Sequence, residues 1–164
     1  MAEIQFRPTL VIGLGGTGKE VVLLLKARFL ENLGQVPEIL RFLVLDTTLA
    51  TEEVQGDLGE RVYLSPIEFQ YLGNIDANDI VENLHKFPFI AEWFPKILRP
   101  GVIDRGAAMV RAIGRLALFW RVQEVVGALD AAIRNLMALA NIPLTLQPGA
   151  LTQEQGISIF IVSS

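Results

Sequence analysis

The chain has 164 residues, a formal net charge of −4, one histidine and no cysteine, and 51% of its residues are hydrophobic. This length and apolar content predict one packed domain and exclude a disordered segment. The lack of cysteine excludes disulfides and thiolate metal sites. The single histidine argues against a histidine-based zinc site or a Ser-His-Asp triad. The negative net charge argues against general nucleic-acid binding.

Membrane insertion is not predicted. The two longest apolar regions, 21–30 and 116–146, are interrupted by charged residues. Neither provides the roughly 18 uncharged apolar residues that a membrane span needs. The amino terminus lacks the basic region and apolar core of a signal peptide. We therefore expect a cytoplasmic protein without a membrane span.

The first elements are a strand, a glycine-rich turn, a helix and a second strand. Residues 10–12 predict the first strand, and an amphipathic helix pattern follows from about residue 18 to 33. Gly34 stands where helices commonly end. Residues 41–46, RFLVLD, form an apolar run typical of a strand covered on both faces. Two strands joined by a helix predict a parallel, right-handed βαβ unit.

The middle of the chain carries weaker signals. It predicts a loop, a short third strand and two helical fragments, at residues 47–60, 61–64 (RVYL), 66–72 and 75–84. Asp76 and Asp79 fit a helix N-cap and a first-turn acid better than a metal site. The aromatic stretch 87–95, FPFIAEWFP, either covers the sheet or faces a partner.

The last third predicts a long helix and a final strand. Residues 109–141 carry the longest helical pattern, which Pro143 ends, and residues 157–162 (ISIFIV) predict a fourth buried strand. The fold class is therefore α/β, a Rossmann-like three-layer αβα unit with a mostly parallel sheet of strand order 3-2-1-4. Because the chain stops at that strand, we expect residues 1–164 to be the front part of something longer. The open strand edge predicts that the isolated chain dimerises or aggregates.

Four glycines within six positions separate the first strand from the first helix: Gly13, Gly15, Gly16 and Gly18. Glycine is costly in regular structure because it loses the most backbone freedom on ordering. Such a turn indicates that backbone passes close to another group. The usual group is a phosphate, held by backbone N–H groups at the positive end of the helix. The alternative is a tight turn without a ligand.

The loop fits two nucleotide-binding motifs incompletely. Gly13 to Lys19 has the P-loop spacing, but Glu20 stands where that motif needs Ser or Thr for magnesium, and its carboxylate would repel phosphates. The same loop satisfies GxGxxG, the dinucleotide fingerprint, whose ribose-binding acid would be Asp46. Asp46 lies 28 positions after Gly18, against the usual spacing of about 20. The dinucleotide motif alone is therefore a weak signal.

Three arginines crowd the start of the long predicted helix: Arg105, Arg111 and Arg115. The helix macrodipole disfavours positive charge there by roughly 0.3–1 kcal/mol each, and a bound polyphosphate would offset that cost. Arg111 and Arg115 share one helix face. The alternative is a solvated face paired with Glu124 or Asp104.

Taken together, the ordered motifs resemble the tubulin/FtsZ superfamily, and most closely its bacterial tubulin-like branch. VIGLGGTGKE is similar to the family's first phosphate loop, and LDTTLAT to the acidic or amide-bearing loop after the second strand. The third family loop, approximately Arg-Gly-x-Gly and later Gly-Arg, is matched by Arg105-Gly106-Ala107-Ala108 and by Gly114-Arg115, with Ala108 in place of a usual glycine. The strand ISIFIV then precedes the position of the family's GGGTGSG signature, so the resemblance implies the amino-terminal part of a GTP-binding domain, truncated before that signature.

The resemblance implies binding of GTP or GDP with magnesium. Backbone donors to phosphate would come from Gly15, Gly16, Thr17 and Gly18. Gly13 belongs to the same binding loop, and Lys19 would be a further phosphate contact. Asp46 or Thr47 would meet phosphate-bound magnesium or ribose, and Gly106, Ala107 and Ala108 with Arg105 would sense the terminal phosphate. It also implies head-to-tail self-association of the full-length protein. No catalytic residue is carried over, so this chain alone is expected to bind weakly and to hydrolyse GTP negligibly.

Two other classes of function remain open from the sequence. One is an enzyme domain that uses NAD(P) or FAD, or that adenylates a substrate through its GxGGxG loop. The other is an interaction domain that has lost nucleotide binding. No metal ligand set is predicted in any of these cases.

Overall fold

A computed structural model describes residues 7–49, 53–56, 59, 61–104, 106–107, 110–140 and 156–163. The strands are β1 (Thr9–Leu14), β2 (Leu40–Asp46), β3 (Val54–Gln55), β4 (Arg61–Val62), β5 (Phe69–Tyr71), β6 (Ile75–Asp76), β7 (Val102–Ile103) and β8 (Ser158–Val162). The α-helices are α1 (Gly15–Leu33), α2 (Ala77–Glu82), α3 (Pro88–Ala91), α4 (Arg111–Trp120) and α5 (Val122–Ala140), and short 3₁₀ turns lie at Pro66–Glu68 and Leu84–Lys86.

The main sheet has the order β5-β2-β1-β8, and each neighbouring pair is parallel. β1 pairs with β2 from Thr9↔Leu40 to Leu14↔Leu45, so the carboxyl ends of both strands meet at one edge. The predicted βαβ unit, its parallel sense and the position of the last strand beside the first are confirmed.

The third strand of the sheet is β5 and not residues 61–64, so that part of the prediction is wrong. Arg61 and Val62 do form a strand, but it pairs antiparallel with β3. Val62 is buried against Leu23 and Ala27 of α1, so this small hairpin covers the helix and does not extend the sheet. Residues 69–71, predicted as helical, instead pair with the last three residues of β2.

Two apolar layers enclose the sheet, as the three-layer prediction requires. Alternate residues of β1 and β2 point to opposite faces. Val11, Phe42 and Val44 pack against α1 on one face. Leu10 and Leu43 lie in a second core on the other face. That core includes residues of the helices and turns after β5, among them Ile80, Ile90, Phe94, Ile113, Leu116 and Leu136.

Two local predictions about helix ends are confirmed. Gly34 has φ of 72°, and its N–H donates to the carbonyl of Leu30, which ends α1 in the left-handed conformation that glycine favours. Asp76 caps α2, and its carboxylate accepts from the N–H groups of Asn78 and Asp79. The aromatic stretch 87–95 covers the core through Ile90 and Phe94.

The predicted long helix is divided at Arg121, which is a correction. α4 ends and α5 begins on either side of this residue, whose φ and ψ are −100° and 24°. Its guanidinium donates to the carbonyls of Gly73 and Asn74, at 3.2 and 3.4 Å. These bonds to a segment distant in sequence coincide with the break between the two helices. The two ends of the predicted helix, residues 109 and 141, lie outside the described residues.

β8 is a strand, as predicted, but it is not buried. Ile159, Phe160 and Ile161 all have exposed side chains at this edge of the sheet, whereas Val162 packs against the core that α1 covers. No helix within the described ranges is long and apolar enough to cross a membrane.

Candidate functional site

A cavity of about 340 Å³ lies where the carboxyl ends of β1 and β2 meet the amino-terminal ends of α1 and α4. In open parallel sheets, ligands bind beyond the carboxyl ends of the strands. The cavity is lined by residues of all four elements and of the segments after β2, β5 and β8 and before α4: Leu14, Gly15, Leu45, Asp46, Thr47, Leu72, Ala107, Arg111, Gly114, Arg115, Leu118 and Ser163. A larger cavity, of about 550 Å³, lies at the amino end of β2, away from the glycine loop.

Two glycines of the loop are required by packing. A Cβ at Gly13 would lie 2.5 Å from the carbonyl oxygen of Gly18. A Cβ at Gly18 would lie 2.7 Å from the carbonyl carbon of Gly13 and 2.7 Å from the carbonyl oxygen of Val162. These glycines therefore let β1, α1 and β8 approach one another, and protein atoms already fill the space that a side chain would take.

The other two glycines face open space. No described atom would lie within 4 Å of a Cβ at Gly15 or Gly16, so protein packing does not require glycine at either position. Gly15 also has φ of 67°, a conformation that residues with a Cβ rarely adopt. A loop that is bare toward solvent here leaves room for a bound group against its backbone.

The amino terminus of α1 has no side-chain cap. Leu14 occupies the N-cap position without a side-chain hydrogen bond, and the first turn contains no acidic residue. The first four N–H groups of a helix lack intrahelical partners and carry the positive end of its dipole. In α1 these are the groups around Gly15, Gly16, Thr17 and Gly18. Gly15 lines the cavity, and Gly16 lines a neighbouring pocket with Glu20, Leu23 and Val54. The arrangement is suited to an anion.

Lys19 and Asp46 lie against each other, almost completely buried. Their side chains are 3% and 5% exposed, and the ammonium nitrogen lies 3.1 Å from Oδ2 of Asp46. The contact is an ion pair, and Oδ2 has no hydrogen-bond donor among the described residues. Oδ1 of Asp46 accepts from the N–H of Thr48. Lys19, which is predicted to contact phosphate, thus lies against Asp46, which is predicted to meet magnesium or ribose.

The loop after β2 is held by close backbone packing. The N–H of Leu72 donates to the carbonyl of Asp46 at 2.8 Å. Gly73 lies so close that a Cβ on it would be 2.6 Å from the carbonyl oxygen of Thr47. Thr47 itself is buried. Asp46 and Thr47 therefore form a fixed wall of the cavity.

The opposite wall comes from α4 and the loop before it. Arg111, Gly114 and Arg115 line the cavity together with Ala107. The guanidinium carbon of Arg115 lies 4.1 Å from the ring centroid of Trp93, a cation–π stack. Two of the three arginines therefore line the same cavity as Gly15.

Other predicted residues of the third loop are described only in part. Gly106 has φ of 103° and precedes the cavity-lining Ala107. Arg105 and Ala108 lie outside the described residues. Sequence reasoning missed Gly73 as a packing glycine and Trp93 as the partner of Arg115, because both contacts join residues far apart in the chain. Among the described residues, no cluster of His, Cys, Asp or Glu could hold a metal ion.

The comparisons with known proteins give one match. A family model described as "Tubulin like" matches residues 10–164, which is nearly the whole chain and includes every wall of the cavity. No curated protein and no solved structure matches the chain.

Proposed function

The chain belongs to the tubulin-like family, and we propose that its glycine-loop cavity binds a guanine nucleotide with the phosphates at the amino terminus of α1. The observation that carries the proposal is the open backbone at Gly15 and Gly16, beside N–H groups that no side chain caps. Bare helix-terminal amides bind phosphate without needing a cationic side chain. The preference for guanine rests on the family alone.

The charges around the cavity support an anionic ligand. Arg111 and Arg115 line the wall opposite the glycine loop, and Lys19 offsets the carboxylate of Asp46. Arg111 and Arg115 have no ion-pair partner among the described residues, and two positive charges near the start of α4 are unfavourable to its dipole. Phosphate oxygens would relieve that cost. Magnesium carried by the phosphates would lie near Thr47, where it would supply further neutralisation of their charge, while the Asp46 carboxylate is already offset by Lys19.

Titration calorimetry with GTP, GDP, ATP, NAD and FAD tests the proposal. We expect GTP and GDP to bind in the micromolar range and NAD and FAD not to bind. Binding of NAD or FAD without GTP would favour an oxidoreductase domain, and binding of ATP alone would favour an adenylating one. If no nucleotide binds, the proposal is wrong and an interaction domain is the better reading.

Gly16→Asp is the variant that tests the location. The new carboxylate would lie at the amino terminus of α1, where it would stabilise the helix and repel phosphate. We therefore expect the melting temperature to be kept and GTP affinity to fall about tenfold or more. Gly127→Asp is the matched control, since Gly127 is also an exposed helical glycine with no atom within 4 Å of a Cβ. Unchanged GTP affinity in Gly16→Asp would contradict this location.

We further propose that the protein self-associates head to tail, with nucleotide between neighbouring copies, and family membership is the support for this. Sedimentation velocity with and without GTP tests it. The Ile161→Lys variant should be used as well, so that pairing of the exposed β8 edge does not obscure the result. If this variant self-associates to the same extent with and without GTP, the proposal is contradicted.

A further inference from the structure

The pair formed by Lys19 and Asp46 is unusual for the wall of an anion site. Both residues are buried, at 2% and 5% exposure, and Asp46 lines the cavity while Lys19 does not. The lysine stands at the position where a P-loop lysine would bind phosphate. Its ammonium nitrogen instead lies 3.1 Å from the Asp46 carboxylate.

Burial makes each charge dependent on the other. An ion removed from water is costly by several kcal/mol unless it is paired. If Lys19 turned to a phosphate, Oδ2 of Asp46 would remain buried without its cation and without a hydrogen-bond donor among the described residues. The carboxylate would then also repel the phosphates beside it.

The carboxylate is fixed in place from its other side as well. Oδ1 accepts from the N–H of Thr48, and the carbonyl of Asp46 accepts from Leu72. The side chain thus has little freedom to leave the cavity wall when a ligand arrives. A phosphate can share this cavity only if the negative charge on the wall is compensated locally.

We propose that Lys19 is a positioning residue that neutralises Asp46 and holds it at the wall, and that Lys19 does not itself bind phosphate. The inference rests on the proposed nucleotide binding. It assigns phosphate recognition to the backbone of the glycine loop, and it makes the neutral pair of Lys19 and Asp46 a condition for polyphosphate binding.

Removal of one charge and then of both tests the inference. Lys19→Met leaves an uncompensated carboxylate, so we expect GTP affinity to fall about tenfold or more, and GTP to lose more than GDP. Lys19→Met with Asp46→Asn removes both charges, and its GTP affinity should return to within about threefold of the unmodified chain. Its melting temperature should also exceed that of Lys19→Met.

A second ion pair on α1 provides the control. Lys26 pairs with Glu68 at 2.6 Å, on the part of α1 that is distant from the glycine loop, and the corresponding change is Lys26→Met with Glu68→Gln. We expect these variants to leave nucleotide affinity unchanged. This control separates a general loss of helix stability from an effect on the cavity.

Three results would overturn the inference. A double variant of Lys19 and Asp46 that binds GTP more than about threefold more weakly than the unmodified chain would show direct contact with the ligand. Full GTP affinity in a folded Lys19→Met variant would show a structural role only. If Lys19→Met does not fold, the double variant still decides. Failure of the unmodified chain to bind any nucleotide would overturn the proposed function itself, and this inference with it.

Discussion

At the scale of single residues, the glycines between β1 and α1 serve two separate purposes. Gly13 and Gly18 are small because backbone atoms of Gly18, Gly13 and Val162 occupy the space of their side chains. At Gly15 and Gly16, by contrast, a Cβ would meet no described atom within 4 Å. A motif that appears uniform in sequence thus divides into glycines that packing requires and glycines that packing does not require.

Alanine substitutions separate the two kinds of glycine. Gly18→Ala forces backbone apart and is expected to lower the free energy of unfolding by about 1–3 kcal/mol. Gly16→Ala has open space and should leave stability unchanged or raise it by about 0.4–1 kcal/mol. Chemical denaturation measures both. Equal destabilisation by the two changes would contradict the assignment.

At the scale of elements, helix ends are set by local side chains and helix breaks by distant ones. The cap of α2 needs only Asp76 and the two N–H groups that follow it. The break between α4 and α5 involves Arg121 bonded to carbonyls 47 and 48 residues away. The first kind of signal is readable in sequence and the second is not.

Asp76→Ala should remove the cap of α2 and lower the free energy of unfolding by about 1 kcal/mol. Asp76→Asn keeps an accepting oxygen and is expected to retain most of that stability. Thermal denaturation compares the two variants with the original chain. Addition of magnesium should change none of the differences, and a magnesium-dependent stabilisation that both variants abolish would support a metal site instead.

Arg121→Met removes the guanidinium bonds to the carbonyls of Gly73 and Asn74, so we expect a loss of about 1–2 kcal/mol in stability. Glu124→Gln is the control, since it removes the exposed ion pair with Arg121, keeps the carbonyl contacts of Arg121 and should have little effect. Equal melting temperatures for the two variants would show that the carbonyl contacts contribute nothing.

The pH dependence of the Arg121–Glu124 pair has a defined sign. The backbone N–H of Glu124 and then the Arg121 side chain hold the pKa of Glu124 below its usual value. A carboxylate with a lowered folded-state pKa stabilises fully at pH above its unfolded-state value, and this contribution disappears as the pH falls through the folded-state value. The small effect of Glu124→Gln should therefore vanish in acid.

At the scale of the whole molecule, β8 presents an exposed sheet edge with apolar side chains in solvent. Natural proteins protect exposed strand edges with charges, prolines or covering elements. The five residues of β8, SIFIV, contain no charge and no proline, and Ile161 is 65% exposed. An apolar groove between β8 and α1 adjoins this edge. The surface favours pairing with another strand.

We expect the isolated chain to self-associate through β8 at high concentration, in a way that does not depend on nucleotide. Ile161→Lys should reduce that association without loss of folded structure, because the side chain is already mostly in solvent. Ile97→Lys is the control, as Ile97 is 93% exposed and lies away from the sheet. If light scattering shows that the original chain stays monomeric at high concentration, the prediction is contradicted.

The sequence by itself determined the order β1, glycine turn, α1, β2, the end of α1 at Gly34, the cap at Asp76 and the three-layer arrangement. These features depend on residues within a few positions of each other, or on the period of burial along one element. The candidate cavity was predictable to the same extent, since the glycine loop and the ends of β1 and β2 adjoin one another in any parallel sheet.

Only the tertiary structure decided that β5 joins the sheet in place of residues 61–64, that the long helix divides at Arg121, and that β8 is exposed. It also decided that Lys19 faces Asp46 and that Arg115 stacks on Trp93. The physical reason is the same in each case. Which of several competent partners a residue meets depends on the free energy of the whole packed arrangement, and spacing along the chain does not encode that choice.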